Sequence, residues 1–350
     1  MIDKILNANE NNINIIQDEI LELNSARFMY MLACKCPFCD YDKLGNAILK
    51  TDDSKYIRMF GSKFYDRVNF ELFFNKVLEF NNSALIFYLV YDATNVDNKY
   101  YINAIDYFIK NNNEHFLFKL TYYFLIVLKR FDLELLDLVK DIYNLTVDNY
   151  IDVLENKYNE INLSYNNRDY ENNGLSNHHY EGHMGYIPDM IVLHISTYYY
   201  RILDLFYDPN TEVSSHFVIS RDGKVKQVIG YEHAAWANGT GTTEDKDTFY
   251  KLSNIKLVRD REDNANFYSY TIEHDSMDGT LTDEQYKASL ETCIKIIKHI
   301  KEEYNYDFII DREHIVGHNE VAPLVRTMCP GFNFPIDRLV CDLQKKFIHS

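Results

Sequence analysis

The stretch "MIVLHI", residues 190–195, is apolar except for His194. A short continuous apolar run is typical of a buried strand. Two runs follow it, "HFVIS" (216–220) and "KVKQVI" (224–229), and the Asp222-Gly223 pair between them predicts a hairpin turn. "YSYTIEH" (268–274) indicates another strand. The region after residue 188 is therefore predicted to contain a sheet.

Helical patterns accompany these strands. In "LTDEQYKASLETCIKIIKHIKEEY" (281–304), Thr282 and Gln285 form a capping box ahead of an apolar stripe, namely Tyr286, Leu290, Ile294, Ile297 and Ile300. "HIVGH" (314–318) is predicted to begin as a short strand, and "PIDRLVCDLQKKF" (335–347) to form a helix with proline at its start. Strands mixed with helices predict an α/β domain.

Residues 1–155 have a different pattern. The segments 66–80 and 131–145 repeat apolar residues at helical spacing, and in the second segment the predicted face is formed by Leu133, Leu136, Val139 and Ile142. Glycine is confined to positions 45 and 61. We predict an all-α helical bundle here, as a first domain. Residues 156–185 are polar and rich in asparagine, which predicts a linker and a loop leading into the second domain, 186–350.

Composition excludes several classes of protein. The net charge is −17 and no basic stripe is present, which argues against a nucleic-acid partner and against attraction to anionic membranes. The N-terminus lacks the pattern of a secretory signal, and no apolar run is long enough for membrane insertion. Without an export signal, the six cysteines are expected to be thiols or metal ligands.

Three separated residues could bind a metal ion. His194 lies at the end of an apolar strand, His318 follows a short strand, and Cys329 precedes Pro330-Gly331. Imidazole and thiolate suit zinc, and a catalytic zinc needs three protein ligands. The spacing alone leaves open the alternative of two hydrogen-bonded histidines and a buried thiol. Glu273, at the end of its strand, could be a general base or one half of a salt bridge.

Several segments, in this order, resemble the zinc-dependent N-acetylmuramoyl-L-alanine amidases of type 2, which share the peptidoglycan-recognition fold. These segments are "IPDMIVLHIS" (187–196), "VSSHFVISRDGKVKQVIGYEHAAWANGTG" (213–241), "YSYTIEHDSMDGTLTDEQYKASL" (268–290) and "DREHIVGHNEVAPLVRTMCPG" (311–331). The resemblance implies a mixed central sheet flanked by helices. It also implies one catalytic Zn²⁺, held by His194, His318 and Cys329, with Glu273 as the water-activating base.

The resemblance supplies further site residues. Thr327 occupies a place often held by lysine in the family, and the adjacent Arg326 could supply the positive charge. Trp236, Asn238 and His216 are our candidates for substrate binding. After Trp236 the chain reads "ANG" (237–239) where many relatives have "HAG", so any role of that histidine is absent or moved to Asn238. Ser215 stands where some phage relatives have a catalytic tyrosine, so a tyrosine-based mechanism is not expected here.

The resemblance implies hydrolysis of the amide bond between the lactyl group of N-acetylmuramic acid and L-alanine. We expect peptidoglycan or muropeptides as partners, and a phage-type endolysin or autolysin released through a holin or in a particle. The alternatives are a non-catalytic peptidoglycan-binding module and a cytoplasmic muropeptide-recycling amidase. The helical domain resembles nothing that we can place and could target the wall, regulate activity or form an oligomer.

Two further clusters remain open. His178, His179 and His183 lie in the polar loop, where a solvated loop is the favoured interpretation over a functional cluster. "CKCPFC" (34–39) offers three thiols without a nearby fourth ligand, so reduced cysteines are favoured over a structural zinc site.

Overall fold

The computed structural model describes residues 1–166, Tyr170 and residues 173–348. The chain divides into two compact units, Met1–Glu155 and Asn156–Ser350. The first is helical and the second combines a sheet with helices. The predicted fold class, an all-α part followed by an α/β part, is therefore confirmed.

Ten α-helices are described in the first unit: α1 (Ile2–Leu6), α2 (Ile13–Glu22), α3 (Ala26–Lys35), α4 (Tyr41–Leu49), α5 (Ser54–Lys63), α6 (Phe70–Glu79), α7 (Ser83–Asp92), α8 (Asn98–Lys110), α9 (Glu114–Tyr122) and α10 (Leu133–Tyr143). A π-helical turn, Tyr123–Val127, continues α9. Many of these helices begin at an Asp, Asn or Ser whose side chain accepts a backbone N–H. Such caps satisfy N–H groups that have no partner inside the helix.

The helices of this unit stack in alternation. Helix α5 packs against α3 and α7, and α7 packs against α9, so odd-numbered helices form one layer. Contact between α5 and α6 is close at Gly61, where a Cβ atom would lie 2.8 Å from the Cβ of Phe73. The core between the helices is aromatic, and Phe60 and Phe73 stack with their ring centroids 5.7 Å apart.

Helix α11 (Tyr150–Ser164) spans the boundary between the units, so the segment expected to be a linker begins as helix. The second unit then contains β1 (His179–Tyr180), β2 (Met190–Ser196), α12 (Tyr199–Tyr207), β3 (Phe217–Ile219), β4 (Val225–Gln227), β5 (Ala234–Ala235), α13 (Lys256–Arg261), β6 (Ser269–Asp275), α14 (Asp283–Tyr304), β7 (Ile315–Gly317), α15 (His318–Val321) and α16 (Ile336–Ile348). Two 3₁₀ turns, Tyr250–Leu252 and Ala265–Tyr268, flank α13.

Five strands form one mixed sheet in the order β4-β3-β6-β2-β7. Strands β3, β6, β2 and β7 are parallel, and β4 pairs antiparallel with β3, as the predicted hairpin requires. Strands β1 and β5 form a separate two-stranded sheet. Because the carboxyl ends of parallel strands meet at one edge of a sheet, residues that end β2, β6 and β7 come together there.

The two faces of the main sheet have different neighbours. Ile191 and Leu193 of β2, with Tyr270 and Ile272 of β6, pack into the apolar core that includes α14 and α16. Because side chains alternate along a strand, His194 and Glu273 point to the opposite face. Among the described residues, no helix combines the length and the apolar character needed to cross a membrane.

Candidate metal centre

His194 and Glu273 are direct neighbours across two parallel strands. The register of β2 and β6 pairs His194 with Glu273. Both side chains leave the sheet on the same face, because paired residues of adjacent strands point the same way. The imidazole is only 4% exposed, whereas Glu273 is partly exposed.

His318 reaches the same point from the other side of β2. Gly317 ends β7 opposite Leu193, so the next residue, His318, lies beside His194. The two imidazole centroids are 4.4 Å apart. Glu320 fixes this strand end, because its carboxylate accepts the N–H of Gly317 at 2.8 Å and two contacts from the guanidinium of Arg312 at 2.8 Å.

Backbone contacts hold Cys329 against this strand end. The N–H of Asn319 donates to the carbonyl of Cys329 at 2.6 Å. Two residues further on, Gly331 has a φ of +95°, and a Cβ atom there would lie 2.1 Å from the carbonyl oxygen of Asp278. Only glycine tolerates both conditions. The Pro-Gly sequence after Cys329 therefore seats the loop on the segment that follows β6.

These three residues form a compact donor set. The ligand atoms of His194, His318 and Cys329 all lie within 4.8 Å of one another. Burial lowers the pKa of His194 to about 3 and that of His318 well below its usual range, so both imidazoles are neutral and can bind a metal. Burial raises the pKa of the Cys329 thiol, and the neighbouring Glu273 adds to this effect. Two imidazoles and a thiol that a cation would deprotonate fit zinc.

Asn238 determines which nitrogen of His194 can bind. Its Oδ1 lies 3.1 Å from Nε2 of His194, and its Nδ2 donates to Oγ of Ser269 at 2.5 Å. The hydroxyl of Ser269 donates in turn to the carbonyl of Ala265 at 2.6 Å. Since an amide oxygen only accepts hydrogen bonds, Nε2 of His194 carries the proton and Nδ1 has the free lone pair.

The surroundings of Glu273 suit proton transfer. Burial raises the pKa of its carboxyl to about 8, although the guanidinium of Arg326 opposes this shift. The positive charge of Arg326 also disfavours protonation of His194 and His318. Arg326 is itself exposed, and Thr327 is partly exposed. The structure thus brings the three predicted ligands, Glu273 and the charge of Arg326 together.

The three predicted substrate-binding residues lie in different surroundings. Trp236 is partly exposed, and its indole stacks on the His178 ring at 5.6 Å. Asn238 and His216 are fully buried. His216 accepts the N–H of Thr271 at Nδ1, 3.1 Å away, while its Nε2 lies 3.0 Å from the carbonyl of His233. Substrate binding by these three side chains stays a prediction.

The histidines of the polar loop do not form one cluster. His183 is buried, and its ring nitrogens lie 3.0 and 2.9 Å from the carbonyls of Phe267 and Tyr231. His179 stacks instead on His233, at 3.9 Å. Among the residues that the structure describes, the thiols of "CKCPFC" are free and join no group of three or more metal-ligating side chains.

Sequence reasoning missed the contact between Asn238 and His194, which are 44 positions apart. It also missed Glu181 and His233 beside His179. The first contact has no local signal. The group of His179, Glu181 and His233 has a weak local signal, because His179 and Glu181 are two positions apart at the short strand β1.

Part of this chain is similar to known proteins. The family model described as N-acetylmuramoyl-L-alanine amidase matches residues 184–332. Among solved structures, a selenomethionine derivative of AmpD aligns with 48% of this chain and 91% of its own, at 21% identity and a TM-score of 0.35. The N-acetylmuramoyl-L-alanine amidase LysC from Clostridium intestinale aligns with 45% of this chain and 87% of its own, at 17% identity and a TM-score of 0.28. No curated protein matches the chain. These similarities support a C-terminal domain, over residues 184–332, of the type 2 N-acetylmuramoyl-L-alanine amidase kind.

Proposed function

We propose that this chain is a zinc-dependent hydrolase of the amide bond between the lactyl carbonyl of N-acetylmuramic acid and L-alanine of the stem peptide. The observation that carries the proposal is the convergence of His194, His318 and Cys329, with ligand atoms within 4.8 Å, beside Glu273. The family match supplies the substrate class. A peptidoglycan-binding module would not need a base of this kind next to three ligands.

Nδ1 of His194, His318 and the thiolate of Cys329 would hold the ion. When bound, zinc supplies Lewis acidity and makes a water molecule a stronger acid. The hydrogen bond from Asn238 fixes the tautomer of His194, because Nε2 keeps its proton. His194 and Glu273 are paired across β2 and β6, so the sheet holds the proposed ligand and the proposed base at a fixed distance from each other.

Glu273 moves the proton. As water attacks the lactyl carbonyl carbon, the carboxylate accepts its proton, and it then delivers that proton to the amine nitrogen of the departing alanine. The carbon–nitrogen bond breaks, and a carboxylic acid and a free amine result. Burial raises the pKa of this carboxyl above its usual range, which makes it a better proton acceptor than an exposed glutamate.

Arg326 stabilises negative charge in this reaction. Its guanidinium is exposed, and its charge acts on Glu273 and both histidines, which supports Arg326 as the donor to an oxyanion formed at the lactyl carbonyl. A well-placed donor of this kind contributes about 3–4 kcal/mol to the transition state. Thr327, the next residue, is the second candidate donor.

The test uses the full-length chain loaded with zinc and a soluble muropeptide that contains the lactyl–alanine bond. Mass spectrometry should show release of the free stem peptide. Glu273→Gln should keep its zinc and lose activity by at least about 100-fold. Glu303→Gln, on the exposed part of α14, is the matched control and should keep full activity. Binding of zinc and wall material without any cleavage by the wild type would instead identify a binding module.

For the biological setting, we propose a wall-degrading lysin rather than a recycling enzyme. The support is the separate helical unit Met1–Glu155, which hydrolysis of a small soluble muropeptide does not require. Intact cell walls and soluble muropeptides should be compared as substrates of the full-length chain. A preference for the soluble substrate would favour the recycling role.

A further inference from the structure

Three metal-ligating side chains lie at one end of the two-stranded sheet β1–β5. His179 lies in β1, Glu181 follows the last residue of β1, and His233 precedes the first residue of β5. The antiparallel pairing of Tyr180 with Ala234 therefore brings Glu181 and His233 close together. The ligand atoms of His179, Glu181 and His233 all lie within 4.8 Å of one another.

The electrostatics around His233 favour a cation at this point. The N–H of Gly182 donates to Nδ1 of His233 at 3.4 Å, so this nitrogen carries a lone pair. The same nitrogen lies 3.5 Å from Oε2 of Glu181. A cation that displaced this long hydrogen bond would be bound by the lone pair and by the carboxylate. On the other side of the ring, Nε2 lies 3.7 Å from Oε1 of Glu232.

His179 can supply the third donor. Its Nδ1 lies 3.3 Å from the carbonyl of Tyr180, which can only accept, so Nδ1 holds the proton and Nε2 is free. Its ring stacks on His233 with centroids 3.9 Å apart and planes 11° from parallel. Metal binding would require this partly exposed ring to rotate out of the stack and turn its lone pair toward the ion.

We propose that His179, Glu181 and His233 form a second metal site, which binds zinc and ties β1 to β5. Two imidazoles and one carboxylate are a donor set that zinc accepts, with water completing the tetrahedron. Calcium and magnesium prefer oxygen ligands throughout, so neither should compete. The site contains no thiol and shares no residue with the group formed by His194, His318 and Cys329.

The metal would have a structural role. Strands β1 and β5 pair through only two residues each, which gives the chain before β2 little sheet contact. Zinc bound by His179, Glu181 and His233 would link β1 to the start of β5. Because zinc would bind only to the folded state, it would stabilise that state. Trp236, which directly follows β5, would be held in place as a result.

The experiment measures the zinc stoichiometry of the full-length chain after equilibrium dialysis against zinc buffered by a competing chelator. We expect two equivalents for the wild type and one for His233→Ala, with folding checked by circular dichroism. Glu181→Gln should weaken the second equivalent at least about tenfold, and its side chain is 86% exposed, so the fold is unaffected. The control is His178→Ala, which should keep two equivalents because His178 belongs to neither group.

His318→Ala separates this proposal from the proposed function. If the wild type binds one equivalent and His318→Ala loses it, the second site does not exist. If the single equivalent is lost in His233→Ala instead, the second site stands and the proposed catalytic zinc site fails. Two equivalents in both the wild type and His233→Ala would also overturn the second site.

Discussion

Nε2 of His194 lies 3.1 Å from Oδ1 of Asn238, and the opposite end of that amide donates to Ser269. A flip of the amide would break both hydrogen bonds. The amide oxygen would then face the hydroxyl of Ser269, which already donates its hydrogen to the carbonyl of Ala265. All of these groups are buried. Asn238 therefore orients the imidazole of His194, the first of the three proposed ligands.

Removal of this amide should weaken the metal centre. Asn238→Leu should lower zinc affinity by about 10–100-fold, as is usual when the hydrogen-bond partner of a metal-bound histidine is lost. Asn238→Asp, which keeps an acceptor for Nε2, should restore most of the affinity. Nitrogen-15 shifts of the imidazole should show one tautomer in the wild type and a mixture in Asn238→Leu. Unchanged affinity and tautomer in Asn238→Leu would reduce Asn238 to a packing residue.

Replacement of Cys329 should weaken zinc binding. Cys329→Ser replaces a ligand that zinc favours with a hydroxyl that does not ionise near neutral pH, so zinc affinity should fall by more than about 100-fold. Cys329→Asp should bind more tightly than Cys329→Ser, because a carboxylate is an accepted zinc ligand. Competition with a chromophoric chelator measures both. Full zinc occupancy and activity in Cys329→Ser would make Cys329 a core thiol.

Arg326 and Thr327 should differ in their effect on catalysis. Arg326→Ala should lower kcat by about 100-fold with little change in KM, since the guanidinium acts on charge that develops in the transition state. Thr327→Val should have a smaller effect than Arg326→Ala. Steady-state kinetics on one muropeptide at saturating zinc will compare the two variants, with Arg326→Lys as the charge-preserving control. The reverse order would assign the oxyanion contact to Thr327.

His216 should make stability depend on pH. Burial lowers its pKa to about 3, compared with about 6.5 in an unfolded chain. Between these values the unfolded state binds the extra proton, so stability falls as the pH is lowered through 6.5. In His216→Asn, the loss of unfolding free energy between pH 7 and pH 5 should be smaller by about 2 kcal/mol. Urea unfolding of the metal-free protein at both pH values measures this difference, and equal slopes would contradict it.

Local patterns predicted the second unit well because its strands and α14 have clear periodicity. Thr282 caps α14 as expected, β2 and β6 match their apolar runs to within one residue at each end, and β3 and β4 are two and three residues shorter than theirs. The helices of the first unit were less well predicted. In the segment 131–145, the predicted face included Leu133 and Ile142, which are 62% and 45% exposed, whereas Leu135 is buried. When a helix carries two neighbouring apolar stripes, its sequence alone does not determine which stripe is buried, because this depends on the helices that pack against it.

The candidate site was predictable only in part. Strand ends and family resemblance pointed to His194, His318, Cys329 and Glu273, and the fold places them together. The hydrogen bond between Asn238 and His194 joins two distant segments, and no periodic pattern in the sequence indicates this contact. Strands β1 and β5 have two residues each, which is too short for an alternating pattern to be detected.

The pairing of His194 with Glu273 also bears on folding fidelity. Adjacent residues of β6 serve opposite faces, since His274 contacts Ser289 of α14 at 2.9 Å while Glu273 points away from that helix. A slip of β6 by one residue would move the Glu273 carboxylate into the apolar layer beneath α14. Burial of an unpaired carboxylate costs several kcal/mol, so the proposed base also penalises the mispaired sheet. A sequence without this glutamate would therefore also lose a constraint on the register of β6.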